Sequence, residues 1–138
     1  MSLYKKFNTD NKSETEGIEL DFGDGVMFKV ARAGKSNPGF AKASRKRTKP
    51  FLFAIKAGTL GDDMAQSILI NVFADSVVKG WEGVTDKDGK TLKFSHENVV
   101  KLFNDLPDLF EQIKEYAEDR ESFIPALHGG VADTLGNS

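Results

Sequence analysis

The sequence predicts an α+β fold that is mostly helical. An N-terminal β-hairpin is followed by four to five helices packed around a central buried helix at about residues 62–79. Three observations predict it. First, apolar residues alternate at Ile18, Leu20 and Phe22 and again at Val26, Phe28 and Val30, on either side of Gly23-Asp24-Gly25. Two alternating runs about a glycine-rich turn form a hairpin. Second, residues 62–79 wind as a helix with Met64, Ile68, Leu69, Val72 and Phe73 on one side and Ile70, Ala74, Val77 and Val78 over most of the other. A surface helix carries one apolar stripe, so this one needs neighbours on more than one side. Third, Leu106, Leu109, Phe110, Ile113 and Ala117 share one arc of a last helix, while Asp108, Glu111, Glu115, Glu118 and Asp119 occupy its far side. Such a helix lays one face on a core.

The elements follow in order. Residues 1–14 are polar and aperiodic and read as a flexible or lightly docked arm, with Leu3, Tyr4 and Phe7 available as anchors. A lone hairpin is marginal in water, so the one at 18–30 must lie on the helical core. Asn37-Pro38 opens the next helix as cap and first turn. Phe40, Ala43 and Ser44 fall on one side of it, and Lys42, Arg45, Lys46 and Lys49 cluster on the other. Pro50 ends or kinks it. A short helical piece at 51–57 then runs to Gly58, a C-cap candidate. Asp62 and Asp63 suit the first turn of the central helix, and Gly80 is its expected stop. Trp81 follows, a core plug or a binding anchor; both readings stay open. Residues 84–92 turn about Asp88-Gly89. Ser95 is expected to cap a helix at 96–104, and Asp105 to cap the last one, with Pro107 in its first turn. Residues 124–138 are small and polar and read as a disordered tail, leaving one domain at 15–123.

Composition narrows the function. A chain of 138 residues suits one domain. It has no apolar run long enough to span a membrane. With no cysteine there is no disulfide, thiol nucleophile or thiolate-held metal. The two histidines, His96 and His128, are little material for a metal site, and neither sits in a nucleophile–base motif. The expectation is a cytoplasmic, non-catalytic protein with no cofactor. The net charge of −2 hides a strong segregation. Nine of the 19 basic residues, and none of the 21 acidic ones, lie between residues 25 and 61, so the rest of the chain has a formal charge of −11. Such polarity sets orientation between parts or partners.

Two motifs fail on inspection. Gly34-Lys35-Ser36 lacks the earlier glycine of a phosphate loop, because Lys29 stands in its place. Asp86-Lys87-Asp88-Gly89 has its glycine at position 4 of a calcium loop instead of position 6, and reads as a structural turn. The stripe Lys42, Arg45, Lys46 and Lys49 could track nucleic-acid phosphates, but no aromatic stacking platform accompanies it and the protein is acidic overall.

Several stretches carry a resemblance when taken together. They are Ala31-Arg32-Ala33-Gly34, Phe40-Ala41-Lys42-Ala43, Lys49-Pro50 and Gly58-Thr59-Leu60. Then come 77–84 (VVKGWEGV) with its Asp-x-Asp-Gly turn, Phe94-Ser95-x-Glu97-Asn98, and 101–110 (KLFNDLPDLF). In this order and spacing, from about residue 17 to 123, the chain resembles the tail assembly chaperones of long-tailed, non-contractile bacteriophages. The resemblance implies a protein of the bacterial cytoplasm, absent from the mature virion, that binds the tape measure protein during tail morphogenesis. It also implies a longer, frameshifted form that recruits tail tube protein. The expected partner surface is Lys42, Arg45, Lys46 and Lys49 with Phe51 and Phe53, and Trp81 as a further candidate. Two alternatives stay open: that Phe51 and Phe53 are core and the basic face meets the acidic last helix of another copy, and that the chain is a small phage or prophage DNA-binding protein using residues 42–49.

Overall fold

The computed structural model describes residues 2–124; the expected tail lies outside them apart from Ile124. Two short helices come first, α1 (Leu3–Phe7) and α2 (Asn11–Glu16). The hairpin follows as β1 (Ile18–Gly23) and β2 (Val26–Val30). Then come α3 (Pro38–Thr48), a 3-10 turn (Lys49–Phe51), α4 (Leu52–Ala57) and α5 (Asp62–Ser76). β3 (Val78–Glu82), α6 (His96–Asp105), α7 (Pro107–Glu118) and a 3-10 turn (Arg120–Phe123) complete it. The architecture is the expected one: a hairpin, then five helices, with α5 at the centre.

The hairpin pairs as read, Ile18 with Val30 and Leu20 with Phe28. At its tip Asp24 and Gly25 both take positive φ, 54° and 79°, which is how a tight turn matches the right-handed twist of two strands. The sheet has a third strand whose first two residues, Val78 and Lys79, the sequence assigns to the central helix. The central helix was expected to run to residue 79 and stop at Gly80. It ends at Ser76 instead, and residues 78–82 pair antiparallel with β2, Val30 opposite Val78 and Lys29 opposite Gly80. Val77 and Val78 suit both conformations by periodicity alone. The open edge of β2 decides between them, since its N–H and C=O groups need partners, and Ala31 N–H donates to Val77 C=O at 2.7 Å. Gly83 then passes the hairpin tip so closely that a Cβ would lie 2.2 Å from the Gly25 carbonyl oxygen.

The core lies between the sheet and the helices. Leu20, Phe28 and Val30 face inward from the sheet and are almost wholly buried. Phe73 of α5 meets Phe110 of α7 edge to face at 5.2 Å, and Phe110 meets Phe103 of α6 at 5.2 Å. A smaller cluster of Ala43, Ile68 and Val72, with Phe40, Phe51 and Leu60, joins α3 to α5. α5 is thus covered on two sides, although Met64 in its first turns stays exposed, against the expectation of burial.

Local chemistry departs from sequence reading at two of three helix starts. Asn37 precedes α3 but does not cap it; its buried amide donates to the carbonyls of Arg32 and Ser76 at 3.0 and 3.1 Å. Asp105 ends α6, and Leu106, not Asp105, stands before Pro107. Ser95 caps α6 as read, its hydroxyl accepting from Asn98 N–H at 3.1 Å.

The stretch read as an arm, 1–14, is tied to the domain at its end. Glu14 is fully buried. It accepts hydrogen bonds from Thr9, from Ser36 and from the Arg32 guanidinium, the last at 2.6 Å. Burial pushes its carboxyl up, but the Ser36 and Thr9 hydroxyls and the Arg32 hydrogen bond and charge outweigh this and hold it below the usual glutamate value. Asp10 N–H adds a bond to the Phe123 carbonyl at 2.9 Å.

Candidate partner interface

The basic stripe is displayed as the helix period requires. Lys42, Arg45 and Lys46 of α3 and Lys49 at its end are all exposed, while Ala43 of the same helix is buried against α5. Pro50 follows. Its ring cannot supply a backbone N–H, so α3 gives way to a 3-10 turn. The chain then re-enters helix as α4, ended by Gly58 at φ 70°.

α4 packs closely only against the turn before it. Five of the six residues of its sequence LFAIKA are apolar, Lys56 being the exception, and Leu52, Phe53 and Ile55 are exposed, Phe53 to 87%. Apolar surface this prominent on a positively charged segment is informative, because single exposed apolar residues are common but clusters mark interaction sites. Beside it runs an open groove of about 280 Å³, lined by Lys46, Arg47, Pro50, Phe51, Met64 and Ile68 among others. Cofactor and small-molecule pockets run about 300–1,000 Å³ and enclose their ligand. This groove is smaller and open, with room for a side chain or two of a partner.

The predicted residues therefore divide. Lys42, Arg45, Lys46, Lys49 and Phe53 lie exposed on one segment, and Phe51 is half-buried, part core and part groove wall. Trp81 is elsewhere. It packs edge to face between Phe28 and Phe94 at 5.6 and 5.3 Å, and its indole N–H donates to the Leu92 carbonyl at 2.9 Å. It pins the 84–94 loop to the sheet, so the plug reading describes its contacts. The turn in that loop is built by Asp86, whose carboxylate accepts from Asp88 and Lys90 N–H.

Sequence reading missed the brace behind the groove. Arg47 is the basic residue of α3 that turns inward. Its Nε and Nη2 donate to the two oxygens of Asp75 in α5 at 2.6 and 2.8 Å. His96 of α6 places Nδ1 3.0 Å from Asp75 and Nε2 3.2 Å from the Asn71 side-chain oxygen. The Arg47 hydrogen bond first, and its charge with those of His96 and Lys46, hold the Asp75 carboxyl below its usual value against the cost of burial. In turn Asp75 raises the Arg47 guanidinium. Three helices are clamped at one point, with Arg47 and Asn71 also lining the groove. No sequence spacing signals a contact 28 residues apart, so this brace was not legible. Leu52, Ile55 and Met64 were also missed, although a short helix with five apolar residues of six is itself a signal.

Among the described residues no group of three or more His, Asp or Glu side chains is placed to hold a metal ion. The family model of the YdaY prophage protein matches residues 35–134. The chain belongs to that prophage family. The match begins at Lys35, three residues before α3, and takes in the basic helix, α4, the groove and the Arg47 brace. It leaves out the hairpin and the two N-terminal helices. Neither a curated protein nor a solved structure matches the chain.

Proposed function

We propose that this prophage protein is a tail assembly chaperone that binds the tape measure protein before the tail tube closes around it, working by protein contact and without catalysis. Membership of a prophage family supports a viral setting for it. The observation that carries the reading is α4, an apolar helix held out from the domain beside a basic face that contains no acidic residue. A tape measure chain presents long amphipathic helices, and such helices dock by laying an apolar face on a complementary one. Leu52, Phe53 and Ile55 supply the apolar contact, and Lys42, Arg45, Lys46 and Lys49 set orientation and partner choice by charge. Tail tube protein would be engaged through a longer, frameshifted form. The work would be done in the host cytoplasm, before the virion is complete.

Co-expression with the tape measure protein of the same prophage tests this. The client should be soluble with the native chaperone, and Phe53→Ser with Leu52→Ser should return it to the pellet. A client equally soluble without this protein sinks the proposal. The basic stripe also suits nucleic-acid phosphates, but phosphate tracking gives no use to an exposed Phe53. A gel shift with duplex and single-stranded DNA at two salt concentrations decides that point, salt-sensitive retardation favouring DNA.

A further inference from the structure

We infer that a second copy of this chain covers the groove, seating Leu106 between Lys46 and Met64 with Asp105 and Asp108 against the basic face. Exposed large apolar residues among those described lie in three places: α1, the groove and α4 region, and Leu106. Leu106 is 50% exposed at the sharp junction of α6 and α7. It is flanked by Asp105 and Asp108, both exposed, and Glu111 continues the acidic side along α7. The groove has the opposite character, an apolar floor of Phe51, Met64 and Ile68 under Lys46, with Lys49 nearby. Each surface is an apolar centre with charge around it, and the signs are opposed.

Charge distribution selects this pairing over others. Nine positive charges and no negative one lie between residues 25 and 61, Arg32 and Arg47 paired with Glu14 and Asp75, and the remainder of the chain carries −11. Two copies repel when like faces meet and attract when the basic segment of one meets the acidic part of the other. Among the described residues of the acidic part, Leu106 is the exposed large apolar residue with carboxylates on both sides. Burying it removes apolar surface from water on both partners at once. This inference stands independently of the chaperone reading, since it concerns the free chain. Where both hold, client and second copy compete for the groove.

Sedimentation equilibrium of the full chain over a concentration series tests it. The native protein should exceed monomer mass at the upper concentrations and fall back as salt rises. Lys46→Glu with Lys49→Glu should stay monomeric throughout, and so should Asp105→Lys with Asp108→Lys, with circular dichroism reporting that both remain folded. An equimolar mixture of the two variants should associate again, because reversing both sides restores the match. A native chain monomeric at every concentration overturns the inference and leaves the groove to another protein. So does association that either variant retains, or a mixture that stays monomeric.

Discussion

Two carboxylates carry the residue-scale energetics. Glu14 is buried with Arg32, Thr9 and Ser36 around it, and removing one partner of a buried ion pair leaves the other charge without compensation. Glu14→Gln should therefore lower stability by about 2–4 kcal/mol in urea unfolding at neutral pH. The pH dependence has a definite sign. Glu14 is lowered from 4.5 in the folded state, so its contribution is complete above that value and is lost as the pH falls through the lowered folded value. The native protein should lose more stability on acidification from neutral pH than Glu14→Gln does; parallel losses would show that Glu14 is not the responsible group. Asp75 acts in the same direction, starting from 3.8, but it sits at the surface. Asp75→Asn should cost about 1 kcal/mol or less, and raised salt should shrink the difference in melting temperature.

At the scale of elements, the short segments β3 and α4 show opposite outcomes. β3 finds the open edge of β2 and is fixed there, with Gly83 threading past Gly25. The Gly83→Ala variant would meet both the 2.2 Å approach and a φ of 73°, so it should destabilise by about 2 kcal/mol or more, read as a shift in the urea midpoint. α4 finds no such partner within the described chain, and its side chains stay in solvent. Phe53→Ser should accordingly change stability by no more than about 0.5 kcal/mol. A larger loss on unfolding would mean that Phe53 is a folding residue and would remove the chief support for an interface there.

Over the whole molecule, the separation of charge is the property with the longest reach. A basic segment without acidic residues sits on an otherwise acidic domain, so association through it should weaken steadily as salt screens the attraction. Pull-down of the tape measure protein should fall with ionic strength, and Arg45→Glu with Lys46→Glu should lower it at every salt concentration. Retention insensitive to both changes would mean that charge plays no part in partner choice. The brace of Arg47, Asp75 and His96 gives this surface a rigid base, because it joins α3, α5 and α6 directly behind the groove.

The sequence by itself determined what repeats at short range. Alternation about Asp24-Gly25 specified the hairpin, period 3.6 specified α3, α6 and α7, and the acid-free run from 25 to 61 specified the basic face. These signals live within a few residues of one another, where backbone geometry alone places side chains on faces. Tertiary structure decided what depends on distant partners. Val77 and Val78 left the helix because β2 offered unpaired backbone groups. Glu14 was drawn out of a polar stretch by Arg32 and Ser36, and Arg47 was turned inward, away from its basic neighbours, by Asp75. Trp81 became a core contact because Phe28 and Phe94 close around it. Each of those outcomes rests on burial and hydrogen bonding across many residues, and no local pattern encodes which group will be there to receive them.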